Sequence, residues 1–378
     1  MRGHFSTRAL IAACSVVVLM TVAVLVIVQV RSGSGPGGGS PGPSQLPAPS
    51  GLKAPLQGLV LQQDRPLTDA DAGVYGGQVL TTTWAALQPH GPGTLARHNA
   101  IDRGLRAVAA FNDQHPDTPV GIRLRILAGI HAPRWVKRLD GFQPVPVTNM
   151  QDVAGGTLGA FWSAGYMRAY ADLQRLLAAR YDDAPLLLDV VISGCMTIYA
   201  EPLQRDISGF DALFRAGYTT QADRTCLLRQ VDAHDVWQHT HQSLALNPYR
   251  PWVQGSGGPT QAATDLSVTS TVASYCRSKL GQRCTLSNNS IRSAYAGYLT
   301  GDTDQSTGEP PYAALYRVLR TEGPPMSFQC AAPSRVGDIE AAIQAAVQAG
   351  ANAVEVPVAY DPDAMRRDNT ALLDNPTS

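Results

Sequence analysis

Lysine is nearly missing from this chain: against 30 basic and 30 acidic residues, the lysines are Lys53, Lys137 and Lys279. The formal charge is zero and no basic arm or stripe stands out, so nucleic acid has nothing to grip and is excluded as a partner. The arginine excess reads as the codon bias of a GC-rich genome and carries no function. Cysteine is also scarce, with six in 378 residues and no C-x-x-C pair, while His234, His239 and His241 lack the spacing of helical metal ligands. No metal site is expected, and no other cofactor is called for. No G-x-S-x-G falls between a strand and a helix, which argues against a serine-hydrolase elbow. It has no G-x-G-x-x-G opening a helix after a first strand, which argues against a dinucleotide fold.

What is present is globular in composition, 44% hydrophobic and 16% charged. The run from Ala9 to Val30 is uncharged and apolar, and about 20 such residues span a bilayer core. It reads as a single-pass anchor, with a cleaved signal peptide as the competing reading. The anchor is favoured because the run is long and no A-x-A-like site ends it. Arg2 and Arg8 precede the run and Arg31 follows it, which leaves residues 1–8 cytoplasmic. Residues 31–52 are Gly/Pro/Ser-rich and read as a flexible linker, so residues 53–378 form the folded, extracytoplasmic domain of a cell-membrane protein. Disulfides are permitted there. Cys14 lies in the span; Cys276 and Cys284 flank a short turn and are the first expected bridge. Cys195 with Cys226 is the remaining candidate, and Cys330 is left over.

Short apolar runs alternate with stretches of helical spacing across the folded part, the pattern of parallel strands joined by crossover helices. Eight units can be placed, with strands near Gly58, Gly77–Thr83, Val120–Ala128, Leu186–Ile192, Ser243–Leu246, Cys284–Ser287, Pro325–Gln329 and Ala353–Val356. The fold class is therefore α/β, a (β/α)8 TIM barrel preceded by a transmembrane helix and a linker. An open doubly wound sheet is the alternative.

Three segments in order carry a likeness to a known family: WAALQP at Trp84–Pro89, ILAGIHAPRWV at Ile126–Val136, and VVISGCMTIYAEP at Val190–Pro202. Together they resemble strands two to four of the (β/α)8 glycoside hydrolase superfamily of β-galactosidases and cellulases. The resemblance implies a general acid/base at Glu201, after the fourth strand, where that superfamily carries an N-E-P motif. Two departures accompany it. Ala200 replaces the motif's asparagine, and Gln329 ends the seventh strand where the superfamily's nucleophilic glutamate is expected. Retaining hydrolysis needs two carboxyl groups about 5–5.5 Å apart, and an amide cannot form the glycosyl ester. Glu355, ending the eighth strand, is the candidate second carboxylate, at a wider separation that would favour inversion.

Residues just beyond strand C-termini line the active face of such barrels. Trp84, His131, Tyr199, Asn247, Asn288 and Gln329 fall there with Glu201 and Glu355, an aromatic and amide mixture suited to a sugar. Singly, Trp84 and Trp135 read equally well as buried anchors, and His131 as a structural histidine. Arg123 and Arg125 can point into the barrel, where one of them should pair with Glu201 or Glu355. Two functions stay open: a membrane-anchored hydrolase acting on a polysaccharide or cell-wall glycan, and a carbohydrate-binding barrel that has lost its nucleophile. The sugar, the linkage and the oligomeric state are not legible.

Overall fold

The computed structural model describes residues 51–63, 65–150, 154–302 and 309–377. The apolar run 9–30, Cys14 and the linker up to residue 50 lie outside them. Among the described residues no helix is long and apolar enough to cross a membrane.

Eight parallel strands close into a barrel: β1 Gly58–Leu61, β2 Gly77–Thr83, β3 Gly121–Leu127, β4 Leu187–Val191, β5 His241–Ala245, β6 Cys284–Ile291, β7 Met326–Cys330 and β8 Ala353–Val356. Neighbours follow chain order, and β8 returns to β1 with Ala353 opposite Gly58 and Val356 opposite Leu61. The sheet is thus the closed barrel, with no open edge, and its strands lie within a few residues of the expected ones. Local chemistry fixes where the crossover helices begin. Asn99, Ser163, Thr219, Asp265, Asp338 and Asp361 each accept a backbone N–H of the first turn that follows, satisfying donors that the helix itself leaves unpaired.

Two antiparallel hairpins interrupt the alternation. Val145–Thr148 pairs with Gly155–Leu158 after β3, and Trp252–Gly255 with Gly258–Gln261 after β5. Neither was expected from the sequence, and both stand beside the cavities described below.

The barrel interior is layered. Side chains alternate along a strand, so Val60, Val79 and Ala353 share the inner face with Arg123 and Glu355, their cross-strand or i+2 neighbours. Leu56, Val60, Val79 and Ala353 form an apolar floor separate from the main core under the helices. Above it lies a charged layer in place of the branched apolar residues usual in such barrels. Arg123, 1% exposed, donates to Glu355 (2.9 Å), Asp189 (3.3 Å) and Ser327 (2.8 Å). Because β3 faces β7 and β8 across the barrel, the bonds to Ser327 and Glu355 cross its interior, while Asp189 is the neighbour of Arg123 on β4.

The loops are stapled by two disulfides, Cys195–Cys226 and Cys276–Cys284, with Cα separations of 6.0 and 5.9 Å. Cys330 is buried and unpaired, and burial pushes its thiol up to about 12.

Candidate functional site

Glu201 lies on the long loop after β4, which is pinned to the helix Thr220–His234 at both ends. The Cys195–Cys226 bridge holds one end. At the other, the fully buried Arg205 meets Asp223 (Nη2 to Oδ1 2.6 Å), and the hydroxyls of Tyr218 and Tyr249 each donate to the same carboxylate at 2.8 Å. Loop residues are normally the most mobile part of a barrel, so these ties amount to a fixed mount for one glutamate.

Asn247, just past β5, donates from Nδ2 to Glu201 Oε1 at 3.1 Å. Burial raises the Glu201 pKa. The Asn247 bond and the nearby charges of Arg125 and Arg335 pull it back, Asp206 pushes it up, and the net shift is upward. A carboxyl so placed holds its proton over a wider pH range than an exposed glutamate.

Glu201 borders a cavity of about 580 Å³ at the C-terminal end of the strands, with Gln62, Thr81, Arg125, His131, Asn289 and Gln329 among its walls. Tyr199, 44% exposed, lines it too, its hydroxyl accepting from Asn149 Nδ2 at 2.8 Å. The side chain of His131 borders the same space, its pKa lowered by burial and by Lys137. A second cavity of about 600 Å³ is lined by Asn247, Asp206, Arg250 and the tyrosines Tyr295, Tyr298 and Tyr312. Tyr295 stacks on Tyr298 and on Tyr312, with centroids 5.5 and 4.8 Å apart. The Asn247–Glu201 bond joins a residue lining this cavity to one lining the first.

Glu355 is elsewhere. It is 1% exposed and sits one layer below the mouth, with Arg123 at 2.9 Å and Arg125 at 2.6 and 2.5 Å. Burial raises its pKa, but the two arginines outweigh this and hold it below the ordinary glutamate value. It is an ionised counter-charge to guanidinium groups. Both arginines, and not one, have taken it as partner, and neither is paired with Glu201. Gln329, at the end of β7, accepts from Arg125 at 3.2 Å and faces the mouth.

Two expected ligand contacts are removed by the geometry. Trp84 is fully buried, donating to Gln88 at 2.8 Å and packed edge-on against Trp135, Tyr166 and Tyr170, so no ring face is left for a sugar. Asn288 is fully buried too, donating to the Leu246 carbonyl at 2.8 Å and accepting from the Tyr316 hydroxyl at 3.0 Å. Its neighbour Asn289 lines the cavity instead, as the period of two along a strand requires. The tyrosine stack, Asp206 and Asp189 were not singled out from the sequence; a Y-x-x-Y spacing at Tyr295 and Tyr298 was the only available signal.

No family model matches this chain, and no curated protein matches it. Among solved structures, it is similar to the catalytic domain of a β-amylase from Paenibacillus polymyxa at 10% identity, over 83% of this chain and 95% of that one, with a TM-score of 0.49. A family 1 β-glucosidase from Thermotoga maritima matches at 9% identity, over 74% and 73%, with a TM-score of 0.37. An Old Yellow Enzyme from a Pichia species matches at 12%, over 84% and 81%, with a TM-score of 0.39. The closed barrel stands on its own strand pairing, and these likenesses carry no chemistry.

Proposed function

We propose that this chain is a membrane-tethered, extracytoplasmic barrel of glycoside hydrolase type that binds a glycan at its mouth without cleaving it by the retaining two-carboxylate route. One observation carries the reading. Of the three groups such chemistry would use, Glu201 alone is a carboxyl at the cavity, position 329 is an amide, and Glu355 is clamped beneath by Arg123 and Arg125. The walls suit a sugar, since the exposed Tyr199 ring and the half-buried Tyr295 and Tyr298 can cover apolar ring faces while amides meet hydroxyls. The tether is supported by the length of the apolar run 9–30, the linker after it, and two disulfides of the kind kept in oxidising compartments.

A second reading, hydrolysis with Glu201 as general acid, is favoured by the raised pKa of that residue and by Asp206, close enough to contribute to it. An inverting route would require a second carboxyl about 6.5–9.5 Å away, across a water. The two separate when the full chain, in detergent, is given a panel of oligosaccharides, with binding read by calorimetry and products by mass spectrometry. Intact bound ligand is expected. Released sugar that vanishes in Glu201→Gln would establish the second reading, and neither binding nor release would remove both.

A further inference from the structure

Resting on that reading, we infer that the glycan bound here carries a carboxylate, gripped at the floor of the mouth by Arg125 and Gln329. Arg125 is 8% exposed, and its three hydrogen bonds all leave from Nη2, two to Glu355 and one to Gln329 Oε1. Its Nε is buried without a partner. Nη1 has no acceptor among the described residues, and Arg125 borders the cavity, so Nη1 is the part of the guanidinium left for a ligand. Gln329 turns its carbonyl to Arg125, which leaves its NH2 group without a partner among the described residues and on the same cavity.

Two donor groups from opposite sides of the barrel thus meet one space. A carboxylate supplies an acceptor oxygen to each, whereas a sugar hydroxyl brings a proton for which these two groups offer no acceptor. Charge points the same way. Arg335, exposed just after β7, lies near enough to Glu201 to lower its pKa, and no carboxylate pairs with it among the described residues. Among the described residues Glu201 is the one acidic side chain lining this cavity, and its proton is favoured by burial. The amide at position 329 completes the arrangement: a glutamate there would set a negative charge where the ligand's own must sit.

The test uses the full chain in detergent and titrates it with trisaccharides of galacturonic, glucuronic and mannuronic acid, with a sulfated disaccharide, and with cellotriose as the neutral probe. At least one uronate should bind about tenfold or more tighter than cellotriose, the gain expected of hydrogen bonds to a charged group. Gln329→Glu should lower uronate affinity more than cellotriose affinity and so remove that preference. Cellotriose bound as tightly as every uronate would overturn the carboxylate inference and leave the glycan reading standing, as would the sulfated sugar binding best. Uronate affinity unaltered in a folded Gln329→Glu would also overturn it. No binding of any probe would overturn both.

Discussion

Both carboxylate oxygens of Glu355 rest on one nitrogen of Arg125, Nη2, at 2.6 and 2.5 Å, across the barrel from β8 to β3. Arg123 adds a third contact at 2.9 Å, and the three side chains are at least nine-tenths hidden from solvent. Replacing Glu355 with glutamine preserves shape but leaves Arg125 without its counter-charge and Arg123 with Asp189 alone. Breaking a buried pair in this way costs about 3–5 kcal/mol. Urea unfolding of Glu355→Gln should show that loss, and a change under about 1 kcal/mol would mean the pair is not a structural brace.

The two glutamates should respond to pH in opposite senses. The Glu355 pKa is lowered in the folded state, so its contribution is present above the unfolded value of about 4.3 and is lost as pH falls through the folded pKa. The Glu201 pKa is raised, so its contribution is present below about pH 4.3 and is lost as pH rises through the folded pKa. In unfolding curves from about pH 3 to 7, the deficit of Glu355→Gln should therefore shrink toward the acid end. Glu201→Gln should gain on the wild type as pH rises. Parallel trends in the two variants would contradict the opposite environments.

How far these features were legible in the sequence depended on how local their causes are. The barrel strands were readable because apolar runs of four to eight residues and helical spacing are local signals, and β2 was placed residue for residue. The hairpins were not, since strands of four residues containing Pro146, Pro259 and four glycines give no alternation to count. The inward phase of Arg123 and Arg125 was visible along β3, yet their common choice of Glu355 depends on which strands face one another across the closed barrel. Trp84 follows a strand end as a ligand-binding residue would. There, however, the Thr83 side chain caps a one-turn helix, and that turn takes the indole into the core.

The two disulfides should differ in worth. Closing the longer loop removes more chain entropy: with separations of 31 and 8 residues, the Cys195–Cys226 and Cys276–Cys284 bridges should contribute about 4 and about 2.5 kcal/mol. Paired alanine substitutions compared by denaturant midpoint test the order, and a larger loss at Cys276 and Cys284 would reverse it. The Cys195–Cys226 pair should also weaken glycan binding, because it mounts the loop that carries Glu201.

If the proposed tether holds, the arginines before residue 9 set its orientation. A periplasm-dependent reporter fused after Ser378 should be active, and a cytoplasm-dependent one silent. The opposite pattern would place the barrel inside the cell and remove the compartment in which its disulfides were expected.

The most direct test of the central claim is turnover of the glycan that the mouth binds. Once a bound oligosaccharide is known from titration, the full chain should be incubated with it at high enzyme concentration beside Glu201→Gln and Glu355→Gln, with products followed by mass spectrometry. The expected result is ligand recovered intact from the wild type, with affinity reduced in Glu201→Gln. Cleavage by the wild type that falls by orders of magnitude in both folded variants would contradict the account, because it would make Glu355 a working catalytic carboxylate and not the clamped counter-charge of Arg123 and Arg125.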